Sequence, residues 1–373
     1  MRPLCFVSAL SFLCASLASP ANAQIYSIKD LGIPPQTAYS ESMGINESGQ
    51  VLGFAANFVG DLPLNAPPSY SFVYSDGRLT PLDFDALAIA GDAGKDPWQD
   101  NENRKLRITG ALTTQSGNYA VLYEDHFLRT LGALPGDTGS VGFAVNASGE
   151  VAGVSDPPEG AEKAFLYKNG NMLNLGTFPG GAGAEAFGIN RQGDVTGEAF
   201  LSNGNGHAFL YHKDKIMDIG TLPGAVQSVG SAINDSLQIT GYANSADYSF
   251  SHAFLWTKGK MIDLGVLPGG TESQGDAINS WGQVVGISDA AVAGDLPIHG
   301  FVYSDGKMRD LNDLIPSNSG WVIQEARGIN DRGEIATWAY VIQPGKQILH
   351  AVVLTLDCKD RRNKDCEPCR YGR

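Results

Sequence analysis

The chain has 373 residues, a formal net charge of -14 and only 18% charged residues. Acidity of that size argues against nucleic acid and anionic lipid as partners, because both need a basic footprint. With 46 glycines and 19 prolines, the composition is that of many short strands joined by tight turns.

The first 23 residues read as a secretory signal. Arg2 supplies the positive start, Leu4 to Leu17 the short apolar run, and Ala21-Asn22-Ala23 the small-residue cleavage site. That run is too short to span a bilayer, and no later segment is apolar enough to do so. A mature, soluble chain from Gln24, secreted or periplasmic, is therefore expected, and it is expected to be a monomer.

From there to residue 357 the chain repeats itself. An Asn recurs, usually after an apolar residue, with a Gly seven residues on. The copies fall at Asn46, Asn103, Asn146, Asn190, Asn234, Asn279 and Asn330, with Gly53, Gly110, Gly153, Gly197, Gly241 and Gly286 as partners and Thr337 at the last. Successive spacings are 57, 43, 44, 44, 45 and 51 residues. A period of about 40–50 residues marks a repeat architecture in which each unit buries its faces against its neighbours.

One unit, from Ser228 to Gly270, reads as four strands. The first has an all-small face (Ser228, Gly230, Ala232), which suits an innermost strand where backbones crowd. An Asn-x-x-Gly turn follows in several copies, with Asn bending the chain and Gly accepting positive φ. The second strand carries the repeat glycine. The third is the His252-Ala-Phe-Leu-Trp256 segment, and the fourth is Lys260 to Gly265, ahead of a Pro-Gly corner at Leu267 to Gly270. Four antiparallel strands in about 44 residues make a propeller blade.

The chain opens on a lone fourth strand, Tyr26 to Gly32, and ends on Leu349 to Leu356 with no fourth strand to follow. The expected fold is therefore an all-β, closed propeller of seven blades, with the N-terminal strand completing the last. Blade two is the weak copy, and without it the ring would have six blades and a loop. Its inner strand would fall in the stretch containing Pro97 and Asn103, with Asn103 after Glu102 rather than an apolar residue. The tail, 358–373, departs from the repeat; it is basic and carries Cys358, Cys366 and Cys369, for which a disulfide with one thiol left over is expected.

The shared pattern (IN, QVxG, HAFLW, DLG, LPGG), clearest from Ser140 to Leu311, resembles the HAF extracellular-repeat family, named for the His-Ala-Phe segment seen at His207 and His252. That resemblance implies export and repeat architecture, and it brings no catalytic residues to carry over.

Four histidines stand at equivalent repeat positions. Pairing of His207 with Asp218 and of His252 with Asp263 inside single blades explains them as strand locks, since blades with Tyr at the His position also lack the Asp. Lys163 is expected to face Asn174, and His212 and His126 to lie isolated at the surface. Asn190, Asn234 and Asn279 are read as structural turn positions.

No G-x-S-x-G elbow or P-loop is present. Glu185 and Asp276, on inner strands, are the candidate catalytic acids of a polysaccharide hydrolase or lyase at the channel mouth. The cysteine pattern does not support a metal, whereas the oxygen-rich stretch from Gly91 to Asp100 offers ligands for a structural calcium; no other cofactor is expected. The loops between second and third strands vary most and share a rim with the Pro-Gly corners. Phe58, Tyr70, Tyr242, Tyr248 and Phe250 lie in or beside them, as a surface for an extracellular glycan or protein would need. A secreted, non-catalytic binding module using that rim is the principal expectation, and the acid-dependent enzyme is the alternative.

Overall fold

A computed structural model describes residues 26–57, 69–91, 105–247, 249–291, 297–343 and 346–357. Its strands form seven four-stranded antiparallel sheets arranged as the blades of one ring. Six blades take four consecutive strands. The seventh takes three from the C-terminal end, and its outer strand is Tyr26–Gly32 from the N-terminal end. Tyr26 pairs with Leu356 and Gly32 with Ala351, so the ring closes without leaving that sheet edge open. The signal segment and the tail lie outside the described residues.

Each blade is centred on the phenylalanine of its third strand. Phe72, Phe165, Phe209, Phe254 and Phe301 are fully buried, with Val121 and Val352 in the other two blades. Opposite each stands the repeat glycine of the second strand, or Thr337 in blade seven. The inner strand shifts register by one residue beside that glycine, as between Gly142 and Ala144. The bulge pushes an inner-strand carbonyl against it. A Cβ at Gly110, Gly153, Gly197, Gly241 or Gly286 would lie 1.8–2.0 Å from that oxygen. Close backbone approach therefore dictates the repeat glycine. Blade seven, where Thr337 stands, has a second register shift in its inner strand.

The small-residue face of the inner strand is buried, but against the preceding blade rather than the axis. A Cβ at Gly142, Gly230 or Gly275 would lie 2.2 Å from the hydroxyl of Thr109, Thr196 or Thr240 on the blade before. Ser228 Oγ donates to Gly220 O and accepts from Ala208 N, tying two blades together. Ser40 does the same across the closure, to Gly32 O and from Ala351 N.

Blade two is formed, but not from the residues its repeat copy suggested. Its inner strand is Asp85–Gly91, and Ala86 faces the glycine Gly110. Ala90 thus occupies the position that Asn holds elsewhere, while Asn103 lies outside the described residues. The extra length falls within the hairpin after the inner strand, and the inter-blade period from Asn46 to Ala90 is the ordinary one.

Candidate functional site

The repeat asparagines gather at one end of the axis, on the face of the regular turns. The six described ones are buried, and five of them do two jobs. In Asn234, Oδ1 accepts from the backbone N–H groups of Ser236 and Gln238, both at 3.0 Å. Nδ2 donates to Gln238 Oε1 at 2.8 Å and to the backbone carbonyl of Asn279, one blade on, at 2.9 Å. The same inter-blade bond runs from Asn146 to Asn190, Asn190 to Asn234, Asn279 to Asn330, and Asn330 to Asn46. A ring of side-chain amides thus stitches blade to blade across the closure. Ala90 breaks it, and Arg107 of blade two instead reaches the carbonyl of Ala147 while pairing with Glu124. The amides are consumed by the fold and are not ligand donors.

Four histidines likewise lock strands. Nδ1 lies 3.0 Å from Asp218 in His207, 2.9 Å from Asp263 in His252, 2.5 Å from Asp310 in His299 and 2.9 Å from Asp30 in His350. The last pair joins the two ends of the chain. Two expectations are corrected here. Lys163 does not face Asn174: its ammonium lies 2.6 Å from Asp137, whose side chain is only 1% exposed. Burial of that carboxylate draws the long amine across. His212 is not isolated, since its Nδ1 lies 2.7 Å from Asp194, which also accepts from Asn190. His126 is exposed, 3.4 Å from the Tyr123 hydroxyl.

At the other end of the axis, on the face of the variable loops, acids converge. Strand alternation turns the residue before each Gly142-type position toward the channel. Four of those seven positions are carboxylic: Glu41, Asp85, Glu185 and Glu325. One pleat deeper stand Phe143 and Phe187 on adjacent blades, with ring centroids 5.6 Å apart, and Asp276 and Arg327. Glu198 is the ladder partner of Glu185.

The electrostatics follow chiefly from burial of these carboxyls, with like charges adding to it. Burial, then the charges of Glu162 and Glu198, then a hydrogen bond shared with Glu162, push Glu185 up to about 7. Burial pushes Asp276 up to about 7 against the pull of Arg327, and its Oδ2 is sealed with no hydrogen-bond partner. Glu41 and Glu325 are raised by burial, opposed in both cases by Arg327. The Tyr242 phenol is raised by burial and by Glu198, Asp276 and Glu185 together, so its hydroxyl feels both candidate acids.

The structure therefore places Tyr242 within electrostatic reach of both Glu185 and Asp276. The Tyr70 hydroxyl bonds to Pro35 O, Phe250 packs its ring on His252 at 5.1 Å, and Phe58 and Tyr248 lie outside the described residues. Glu41, Glu162, Glu198, Glu325 and Arg327 were missed in the sequence. The strand positions alternating with the small-residue face would have identified Glu41, Glu325 and Arg327. Among the described residues no group of three or more His, Cys, Asp or Glu could hold a metal ion, and most of the proposed calcium stretch, 92–100, lies outside them. No described helix is long and apolar enough to cross a membrane.

Residues 181–366 match a family model described as "Protein of unknown function (DUF3466)", beginning at blade four. No curated protein matches the sequence. Among solved structures, the chain is similar to TolB from Acinetobacter baumannii, with 12% identity, TM-score 0.41, 66% of this chain and 63% of that one. It is also similar to a puromycin-hydrolyzing peptidase of Mycobacterium tuberculosis, with 11% identity, TM-score 0.47, 88% of this chain and 56% of that one. For XC5397 of Xanthomonas campestris, described as a gluconolactonase, the values are 11%, 0.38, 89% and 90%. The chain spans 63% of the TolB chain and 59% of an acylaminoacyl peptidase from Pyrococcus horikoshii. The assignment of the fold rests on the strand pairing, not on these likenesses.

Proposed function

We propose that the protein is an exported binding module that takes an extracellular glycan at the loop-face mouth of its channel. One observation carries the proposal: two carboxyls raised toward neutrality, Glu185 one pleat above the Phe143–Phe187 pair and Asp276 level with it, both lie within electrostatic reach of Tyr242. Part-protonated carboxyls both donate to and accept from sugar hydroxyls, and aromatic faces pack against the apolar side of a sugar ring. Export through residues 1–23 and membership of the HAF repeat family belong to the same proposal.

Cleavage of a polysaccharide is the alternative activity. It is favoured by the Glu162–Glu185 contact, because a carboxyl held near 7 can give or take a proton at neutral pH. The test is a thermal-shift screen of the chain from Gln24 against polysaccharides, followed by assay of new chain ends. A ligand that binds only the folded state raises the melting temperature by mass action. Binding that survives Glu185→Gln with no new chain ends supports the module. Turnover lost in Glu185→Gln or Asp276→Asn establishes the enzyme. No shift with any glycan defeats both and points to a protein partner.

A further inference from the structure

The axis carries a second recess, at the opposite end from the proposed glycan site. It is a pocket of about 250 Å3 on the turn face. Its floor is apolar: Ile45, Ile89, Ile189, Ile233, Ile278 and Ile329 come from equivalent positions of six blades. Above them stands the asparagine ring, whose Oδ1 and Nδ2 atoms are already engaged in turns and inter-blade bonds. Above that, the residue after each Asn forms a rim that includes Glu47, Arg191, Asp235 and Asp331.

The rim carboxylates are held in place by the fold. Glu47 accepts from the Asp331 N–H at 3.1 Å, Asp331 from the Ser280 N–H at 2.8 Å, and Asp235 from the Arg191 N–H at 3.0 Å. Arg191 also pairs with Asp235, at 3.7 Å. Glu47 and Asp331 stand side by side, and the charges of Arg191 and Arg332 reach Glu47 without cancelling the effect of its burial. Burial first, then the Asp331 charge, push Glu47 up to about 7, against the opposing pull of the Asp331 N–H bond and of the Arg191 and Arg332 charges.

We infer that this pocket binds a protonated primary amine on a short aliphatic chain, with the methylenes on the isoleucine floor and the ammonium between Glu47 and Asp331. An ammonium offers three donors and no acceptor, which suits oxygens with lone pairs to spare. Anions are repelled by the rim. Neutral polar guests find the amide groups already paired. The volume also limits the guest: drug-sized ligands occupy about 300–1,000 Å3, so this recess suits one alkyl chain rather than an oligosaccharide. A free alkylamine and a lysine side chain share that chemistry.

The experiment is a titration of isoleucine-methyl-labelled protein, followed by NMR, with n-butylammonium and, in a parallel arm, Nα-acetyl-lysine N-methylamide. Methyl shifts confined to the floor isoleucines are expected, weakened at least fivefold in Glu47→Gln and in Asp331→Asn. Both variants keep the oxygen that accepts a backbone N–H, so the turn is retained, and an unchanged methyl spectrum before titration verifies it. Binding of both probes assigns the site to lysine-bearing partners as well. Binding of butylammonium alone assigns it to free amines. No floor-methyl shift with either probe would overturn the inference, as would equal shifts with butan-1-ol or unchanged affinity in both variants.

Discussion

Replacing Asn234 by alanine tests whether the amide ring holds the propeller together. The side chain is 6% exposed and makes four hydrogen bonds, two within its turn as acceptor, one to Gln238 and one to the next blade. A typical intramolecular hydrogen bond contributes about 0.5–1.5 kcal/mol net, which gives roughly 2–6 kcal/mol in all. Water can reach the turn N–H of the exposed Ser236, so that bond sits at the low end. The Asn279 carbonyl, tied also to Gly282 N, loses only its second donor. A loss of about 3 kcal/mol is expected, read as a lower urea midpoint at unchanged slope. Asn234→Asp separates the two roles. It keeps both acceptor bonds but sets a carboxylate against Gln238 Oε1 and the Asn279 carbonyl. At neutral pH it should be at least as destabilising as alanine. Its deficit should shrink as pH falls, because protonation restores one donor. A loss below about 1 kcal/mol for the alanine variant, or a wild-type midpoint for the aspartate variant at neutral pH, would refute the stitching role.

Gly241→Ala places a methyl 1.8 Å from the Val229 carbonyl, with backbone on both sides; a loss of about 3 kcal/mol or more is expected, measured by denaturation midpoint. His350→Ala removes the lock on the N-terminal strand, and amide exchange should rise first across Tyr26–Gly32, while other blades keep their protection. Burial would raise the Asp30 carboxyl, but bonding to His350 and the Gly32 N–H outweighs it and holds it below its ordinary value. Its contribution is therefore present above the unfolded-state carboxylate range and is lost as pH falls through the folded value, which acid titration of Asp30→Asn should show as a flatter acid limb. Glu185 has the opposite sign. Its folded value near 7 lies above the ordinary 4.5, so its favourable contribution is complete below about 4.5 and is lost as pH rises to about 7. Glu185→Gln should flatten stability across that window and leave the protein more stable than wild type at pH 8 (about one unit above the folded value).

Much of the fold was legible because its rules act within a few residues. The Asn-x-x-Gly turn, the repeat glycine opposite Phe209 or Phe254, and the unmatched strand at Tyr26 each follow from local geometry. Blade two was misplaced for the same reason. Ala90 removes the local marker, and a motif-like Asn103 lies further along, so only the pairing of Ala86 with Gly110 reveals the true inner strand. Glu185 and Asp276 were recognisable as inner-strand acids, but their common neighbour Tyr242 was not. Neither was the contact of Glu185 with Glu162, nor the Arg327 charge beside Asp276.

By itself, the sequence determined the repeat and the strand exchange that closes the ring, since backbone crowding and turn chemistry are written in contiguous residues; the seventh blade was settled by strand pairing. Only the tertiary structure decided what the axis presents. Channel residues come from blades some 44 residues apart, and their charges perturb one another only after closure brings seven inner strands around one line. The asparagine ring depends on the same step: Asn330 meets the carbonyl of Asn46, which lies 284 residues earlier in the chain, because the last blade has come back to the first.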